Sequence, residues 1–276
     1  MSFTTLVPTD ELARHPEWRV FDCRHDLFKI DIGAEQYAQG HIPGAVFVSM
    51  DRDLSAPAGP TGRHPLPEAG AFVAWLGRQG LKRGDQVVCY DASSGNYASR
   101  MWWMLRWVGH QAVAVLDGGY PKWLKEGRPS TTEVPRYSPG NYPGSPDHSM
   151  QVEVGFIESQ LGKPGLTMID ARSAQRFAGE GETLDPVGGH IPGALNRFYT
   201  QNLAADGTFK PAEQLRAEFS SLLHGVPAAQ VVQSCGSGVS ACVNLLAMEH
   251  AGLKGSRLYA GSWSEWCADP RRPVAR

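Results

Sequence analysis

The chain repeats itself, and the repeat limits the possible fold more than any other feature. His41-Ile42-Pro43-Gly44-Ala45 recurs as His190-Ile191-Pro192-Gly193-Ala194, and Val87-Val88-Cys89-Tyr90-Asp91 aligns with Val231-Val232-Gln233-Ser234-Cys235. Further on, Asp117-Gly118-Gly119-Tyr120-Pro121-Lys122-Trp123 aligns with Ala260-Gly261-Ser262-Trp263-Ser264-Glu265-Trp266. The separation drifts from 149 (positions 41 and 190) through 144 (91 and 235) to 143 (123 and 266), a change that loop insertions explain. A period this long means duplicated domains, not a solenoid. The 276 residues suit two domains of roughly 130 residues, each able to bury its own core.

The stretch 128–147 carries Pro129, Pro135, Pro139, Pro143 and Pro146 together with Gly140 and Gly144, so it holds neither a regular helix nor a central strand. It reads as the linker, giving domains over 1–128 and 148–276 with the connection at 129–147. In each half, short β-rich runs (18–23 and 86–90, then 167–171 and 230–234) alternate with helical patterns. That alternation predicts an α/β fold of two tandem domains, each a mainly parallel sheet flanked by helices. After Cys235, Val239, Cys242, Val243, Leu246 and Ala247 form one apolar helical stripe. Cys235 therefore lies between a strand and a helix, at the carboxyl end of a sheet strand, where open α/β folds hold their ligands. The matching helix of the first half carries Trp102, Trp103 and Trp107, which are expected to pack rather than react.

Hydrophobic residues make up 42% and charged residues 20%, the balance of a soluble globular protein. No apolar run approaches the roughly 20 residues needed to span a bilayer, and 1–10 has neither a basic start nor an apolar segment. A cytoplasmic location is the expectation. The formal net charge of −2 gives no electrostatic case for nucleic acid or an anionic membrane surface as partner. Five cysteines, an odd number, point to reduced thiols rather than a disulfide framework. None has CxxC spacing and no His/Cys cluster resembles a zinc site, so neither metal nor other cofactor is expected.

Cys235 opens the loop Cys235-Gly236-Ser237-Gly238-Val239-Ser240-Ala241, whereas the first half carries Asp91 at the matching place. The reactive form of cysteine is the thiolate, and a free thiol has a pKa near ~8.5, so a nucleophilic cysteine needs positive potential around it. Gly236 and Gly238 can turn successive backbone N–H groups inward as an anion-binding nest. The following helix adds its unpaired N–H groups and positive dipole end. Such a cradle suits a thiolate and equally a persulfide anion. Cys23, Cys89 and Cys242 read as small buried hydrophobes; Cys267 is expected to be exposed near the C-terminus, with nothing around it to activate it.

The loop Cys235 to Ala241, the two His-Ile-Pro-Gly-Ala segments, the strand ends Asp22-Cys23-Arg24 and Asp170-Ala171-Arg172, and Gly261-Ser262-Trp263-Ser264-Glu265-Trp266 together resemble the tandem-domain rhodanese-like sulfurtransferases over nearly the whole chain. The loop is most similar to that of the 3-mercaptopyruvate sulfurtransferases; thiosulfate-preferring members usually carry basic residues directly after the cysteine. The resemblance implies a transferase in which Cys235 takes a sulfur from a small-molecule donor, becomes a persulfide, and passes the outer sulfur to cyanide or to an acceptor thiol such as thioredoxin or glutathione. This is double displacement by a covalently loaded nucleophile. It also implies a catalytically silent first domain, which Asp91 fits because a carboxylate forms no persulfide.

Further site residues follow from the same resemblance. Arg176 matches a substrate-binding arginine, a planar fork suited to a carboxylate. The second arginine expected about nine residues later is missing from Thr183-Leu184-Asp185-Pro186-Val187, and Arg197 is a candidate to supply the charge. Asp51, His64 and Ser237 stand where these enzymes place a proton-handling group, with histidine suited to protonating a departing enolate. Gly236, Gly238, Val239 and Ser240 complete the expected binding loop. His41, His190, Arg24 and Arg172 recur in both halves, so they read as architectural. A phosphatase of the related kind would need Cys-X5-Arg, and the sixth residue after Cys235 is Ala241. Thiosulfate sulfurtransferase and a non-catalytic persulfide carrier remain as alternatives.

Overall fold

Each half of the chain builds a five-stranded sheet, and the two sheets have the same strand order. In the computed structural model, which describes residues 2–276, the first sheet comprises β1 (Leu6–Val7), β2 (Arg19–Asp22), β3 (Ala45–Phe47), β4 (Val87–Tyr90) and β5 (Val113–Leu116) in the order β1-β5-β4-β2-β3. The second comprises β6 (Gln151–Val152), β7 (Thr167–Asp170), β8 (Leu195–Asn196), β9 (Val231–Ser234) and β10 (Arg257–Tyr259) in the order β6-β10-β9-β7-β8. Every pairing is parallel. The central strands β4 and β9 are buried along their whole length, as expected where helices cover both faces of a parallel sheet. The α/β architecture with two tandem domains is the one the repeat predicts.

The chain divides into two compact units. One comprises the residues up to Ala56, Leu66–Asp147 and Ala205–Thr208; the other comprises Pro57–Pro65, His148–Ala204 and Phe209–Arg276. The proline-rich stretch after Lys125 belongs to the first unit and carries no helix or strand. It is fastened there by the Gly140 N–H on the Gly77 carbonyl at 2.8 Å and by Tyr142 Oη against His110 Nδ1 at 2.9 Å. Pro57–Pro65 comes from the first half of the sequence yet packs within the second unit. Its turn is closed by mutual backbone bonds between Gly59 and Gly62 at 3.0 Å.

In the first unit, Val7, Val20, Val88, Tyr90, Leu116 and Trp123 form one core. Trp102, Trp103 and Trp107, on the helix Ala98–Trp107, are buried; Trp102 Nε1 donates to the Thr4 carbonyl, and Trp103 stacks on Trp107. In the second unit the core includes Ile157, Met168, Val232, Tyr259, Trp263, Trp266 and Cys267. Cys267 is therefore not exposed: it is 6% accessible, and burial pushes its thiol up to about 11. The helix Ala241–His250 is buried on every side from Ala241 to Met248, not along one stripe, and Val239 precedes it in the loop. Its buried Asn244 is satisfied by Asn202 and by the Arg197 carbonyl.

The recurrent residues hold equivalent strand ends in both units. Arg24 clasps the Asp22 carboxylate and donates to the Gly40 carbonyl; Arg172 clasps Asp170 and donates to the Gly189 carbonyl. His41 lies on the Tyr37 ring with Nδ1 at the Tyr37 carbonyl, and His190 lies on Phe177 with Nδ1 at the Phe177 carbonyl. No helix among the described residues is long and apolar enough to cross a membrane.

Candidate active site

β9 ends at Ser234, and the next residue, Cys235, starts a loop that the helix Ala241–His250 closes. The loop is bolted to the turn after β10. The Cys235 N–H donates to Ser262 Oγ at 3.1 Å, and the Cys235 and Gly236 carbonyls accept from the Trp263 and Ser264 N–H groups. Gly238 has φ +77°, and a Cβ there would collide with the Ala260 carbonyl oxygen. Only glycine lets the chain approach that closely while turning its N–H toward the sulfur. The Gly238 N–H donates to Cys235 Sγ at 3.1 Å, and Cys235 is 2% accessible.

The corresponding loop of the first unit displays what such a cradle does. The Asp91 carboxylate accepts from the N–H groups of Ser93, Gly95, Tyr97 and Ala98 at 2.7 to 2.9 Å. Gly95, with φ +78°, turns its N–H to Asp91 as Gly238, with φ +77°, turns its N–H to Cys235. The first cradle is thus filled by the protein's own anion, while in the second a sulfur occupies the position.

Residues 62–64 bring three further groups to the Cys235 loop. Gly62 lies so close to Gly261 and Ser264 that no Cβ fits without displacement, and the Arg63 N–H donates to Ser264 Oγ at 3.1 Å. His64 Nδ1 then sits 2.8 Å from Ser237 Oγ, both side chains being buried. A Cβ on Gly236 would meet Arg63 Nη2 at 2.9 Å and the two Nη atoms of Arg176 at 3.6 and 3.7 Å. Two guanidinium groups therefore converge beside the residue that follows Cys235.

Arg176 is held by a two-pronged contact with Glu182 and a 3.4 Å contact with Asp185; Arg63 Nη1 pairs with the other Asp185 oxygen. Both carboxylates are 3–4% accessible, and both arginines 27%. Burial pushes Asp185 up, and the nearby arginines only partly offset it; Glu182 is lowered, because backbone N–H groups and Arg176 outweigh its burial.

The profile of the Rhodanese-like domain matches residues 9–126 and 155–269. The chain belongs to the rhodanese-like family. A "Probable 3-mercaptopyruvate sulfurtransferase" of Pseudomonas aeruginosa is 47% identical over 281 residues, covering 100% of this chain and 99% of its own. A "Thiosulfate sulfurtransferase" of Rattus norvegicus is 34% identical over 279 residues, covering 96% and 92%. Among solved structures, the 3-mercaptopyruvate sulfurtransferase from Leishmania major superposes with a TM-score of 0.86 at 34% identity, covering 98% of this chain and 75% of that one.

Of the residues expected at this rhodanese-like site, Gly236, Ser237 and Gly238 form the Cys235 loop, His64 contacts Ser237, and Arg176 lies beside Gly236. Val239 is buried in the loop, and Ser240 leads into the helix, its carbonyl accepting from the Val243 N–H. Asp51 belongs to the first unit, where its carboxylate faces His25 Nδ1 at 3.7 Å. Arg197 requires a correction. Its guanidinium donates to Asn202 Oδ1 at 2.9 Å and Glu218 at 2.7 Å and lies over the Phe219 ring, so its fork is committed to packing. The guanidinium that lies beside Arg176 over Gly236 is that of Arg63, the immediate neighbour of His64. The sequence signal for this arginine is Gly62-Arg63-His64-Pro65, in which it directly precedes the histidine.

Proposed function

We propose that this rhodanese-like protein is a sulfurtransferase that moves a sulfane sulfur from 3-mercaptopyruvate, through a persulfide on Cys235, to a thiol or to cyanide. The Cys235 thiolate attacks the donor sulfur and an S–S bond forms. The donor C–S bond breaks, and its electron pair leaves as the pyruvate enolate, which takes up a proton to become pyruvate. An acceptor nucleophile then attacks the outer sulfur, the S–S bond breaks, and the Cys235 thiolate returns.

The contact between His64 and Ser237 carries the choice of donor. An enolate needs a proton as it leaves, and a hydroxyl backed by an imidazole beside the sulfur is suited to deliver one. Sulfite, the leaving group of thiosulfate, departs as a stable anion and needs no such device. Arg176 offers the donor carboxylate a guanidinium, the Gly238 amide steadies negative charge on Sγ, and Asp51 enters on the resemblance alone. Val239 and Ser240 complete the loop between Cys235 and the helix Ala241–His250 and are proposed as part of the donor-binding loop. Reduced thiols such as thioredoxin or glutathione fit as acceptors in a cytoplasmic setting, in keeping with five cysteines that carry no disulfide.

Thiosulfate as donor is a second reading, favoured by the thiosulfate sulfurtransferases among the relatives. Specificity constants with the two donors, cyanide being the acceptor, separate the two. Mercaptopyruvate is expected to win, and Cys235→Ser is expected to reduce either rate by at least about a thousandfold. A higher constant for thiosulfate overturns the donor assignment; a Cys235→Ser enzyme that still turns over removes the persulfide.

A further inference from the structure

Arg63 and Asp185 are separated by 122 residues in the chain and joined at the mouth of the Cys235 loop. The pair differs from an ordinary surface ion pair in three ways. First, only one end of the Arg63 guanidinium is used: Nη1 meets Asp185, while Nη2 reaches over Gly236, which has no side chain to obstruct it. Second, Arg176 repeats this layout, with Nε and Nη2 on Glu182 and Nη1 reaching the same point over Gly236. Third, the carboxylates lie behind, nearly inaccessible, and the cations stand in front, about a quarter exposed. Two forks aimed at one point describe a receptor for a planar, singly charged oxyanion.

The charge balance refines the ligand class. Two guanidinium groups are matched by two buried carboxylates, so the mouth is close to neutral before a donor arrives. A donor with one carboxylate adds a single negative charge, whereas a compact dianion adds two within reach of Asp185 and Glu182. In a partly buried site like charges at such range repel strongly. Resting on the sulfurtransferase reading above, we propose that Arg63 is a donor-binding residue paired with Arg176, and that Asp185 sets the selectivity of the site for a monoanionic 2-oxo-acid thiol over a dianionic donor. Asp185 acts by holding both guanidinium groups and by keeping the mouth from carrying a net positive charge.

The test uses the full chain with mercaptopyruvate and thiosulfate as donors and cyanide as acceptor, kcat and KM being measured separately. Arg63→Ala is expected to raise KM for mercaptopyruvate about tenfold or more, with kcat within about threefold, and Arg63→Lys to recover part of the loss. Asp185→Asn is expected to shift the ratio of specificity constants toward thiosulfate by about tenfold, a change of about 1.4 kcal/mol. Should Asp185→Asn unfold, the exchanged pair Arg63→Asp with Asp185→Arg keeps the ion pair and returns a guanidinium to the mouth, and mercaptopyruvate KM is expected to improve over Arg63→Asp alone. An Arg63→Ala enzyme with unaltered KM for both donors overturns the binding role. A donor ratio that Asp185→Asn leaves unchanged overturns the selectivity role. The donor preference of the unmodified protein tests the proposed function, while the change between variant and parent tests this inference, so the two can fail separately.

Discussion

At the scale of single residues, Asp91 and Cys235 are two answers to one backbone arrangement. A strand end, a tight loop with a glycine at positive φ and a helix N-terminus gather N–H groups that have no partner within regular structure. In the first unit four of them are satisfied by one carboxylate. Burial pushes the Asp91 carboxyl up even so, because the four N–H groups only partly offset the loss of water. Removing the side chain by Asp91→Ala leaves those donors buried without an acceptor, at about 1–3 kcal/mol for each unsatisfied group. We expect the unfolding free energy, measured by urea titration, to fall by more than about 3 kcal/mol. A loss below about 1 kcal/mol would mean that the loop relaxes and that its cradle is not a fixed property of the backbone.

Among the elements, the helix Ala212–Leu223 shows how one carboxylate ties several segments together. Glu218 accepts from Arg197, Lys210 and Gln214. Burial opposes its charge, but these hydrogen bonds outweigh that, and its pKa falls from 4.5 to about 2. A carboxylate depressed in the folded state contributes stability that is present above about pH 4.5 and is lost as pH falls toward 2. The acid arm of the stability curve of Glu218→Gln should therefore be shallower than that of the parent across this window; parallel arms would show that Arg197 does not depend on the ionised group. The same helix explains a limit of sequence reading. Strand and helix existence, the glycine loop and the Ser237–Cys235 spacing are local, so periodicity and motif reveal them. The carboxylate partner of Arg197 is 21 residues away, and that of Arg63 is 122 residues away. A one-dimensional pattern does not distinguish an arginine committed to packing, such as Arg197, from one aimed at a loop, such as Arg63. Likewise, the all-round burial of Ala241–His250 depends on which elements surround it, not on its own stripe.

For the whole molecule, duplication accounts for the two sheets, and the departures from duplication account for where chemistry is possible. Asp91 closes one cradle and Cys235 opens the other, while Pro57–Pro65 leaves the first half of the sequence to join the second unit. The proposed catalytic unit is consequently discontinuous in sequence: the second half contains Cys235, Ser237 and Arg176, but Arg63 and His64 arrive from a segment more than a hundred residues upstream. A fragment covering 148–276 should keep the Cys235 loop and lose the second guanidinium and the imidazole together. We expect its specificity constant for mercaptopyruvate to fall at least about a hundredfold below that of the intact chain, the scale of losing one charged contact and one proton-transfer group. The intact Arg63→Ala, His64→Ala double variant should account for most of that fall, with far-UV circular dichroism confirming that the fragment is folded. A folded fragment that works within tenfold of the intact chain would exclude the 57–65 segment from the machinery, because the loop and Arg176 would then suffice.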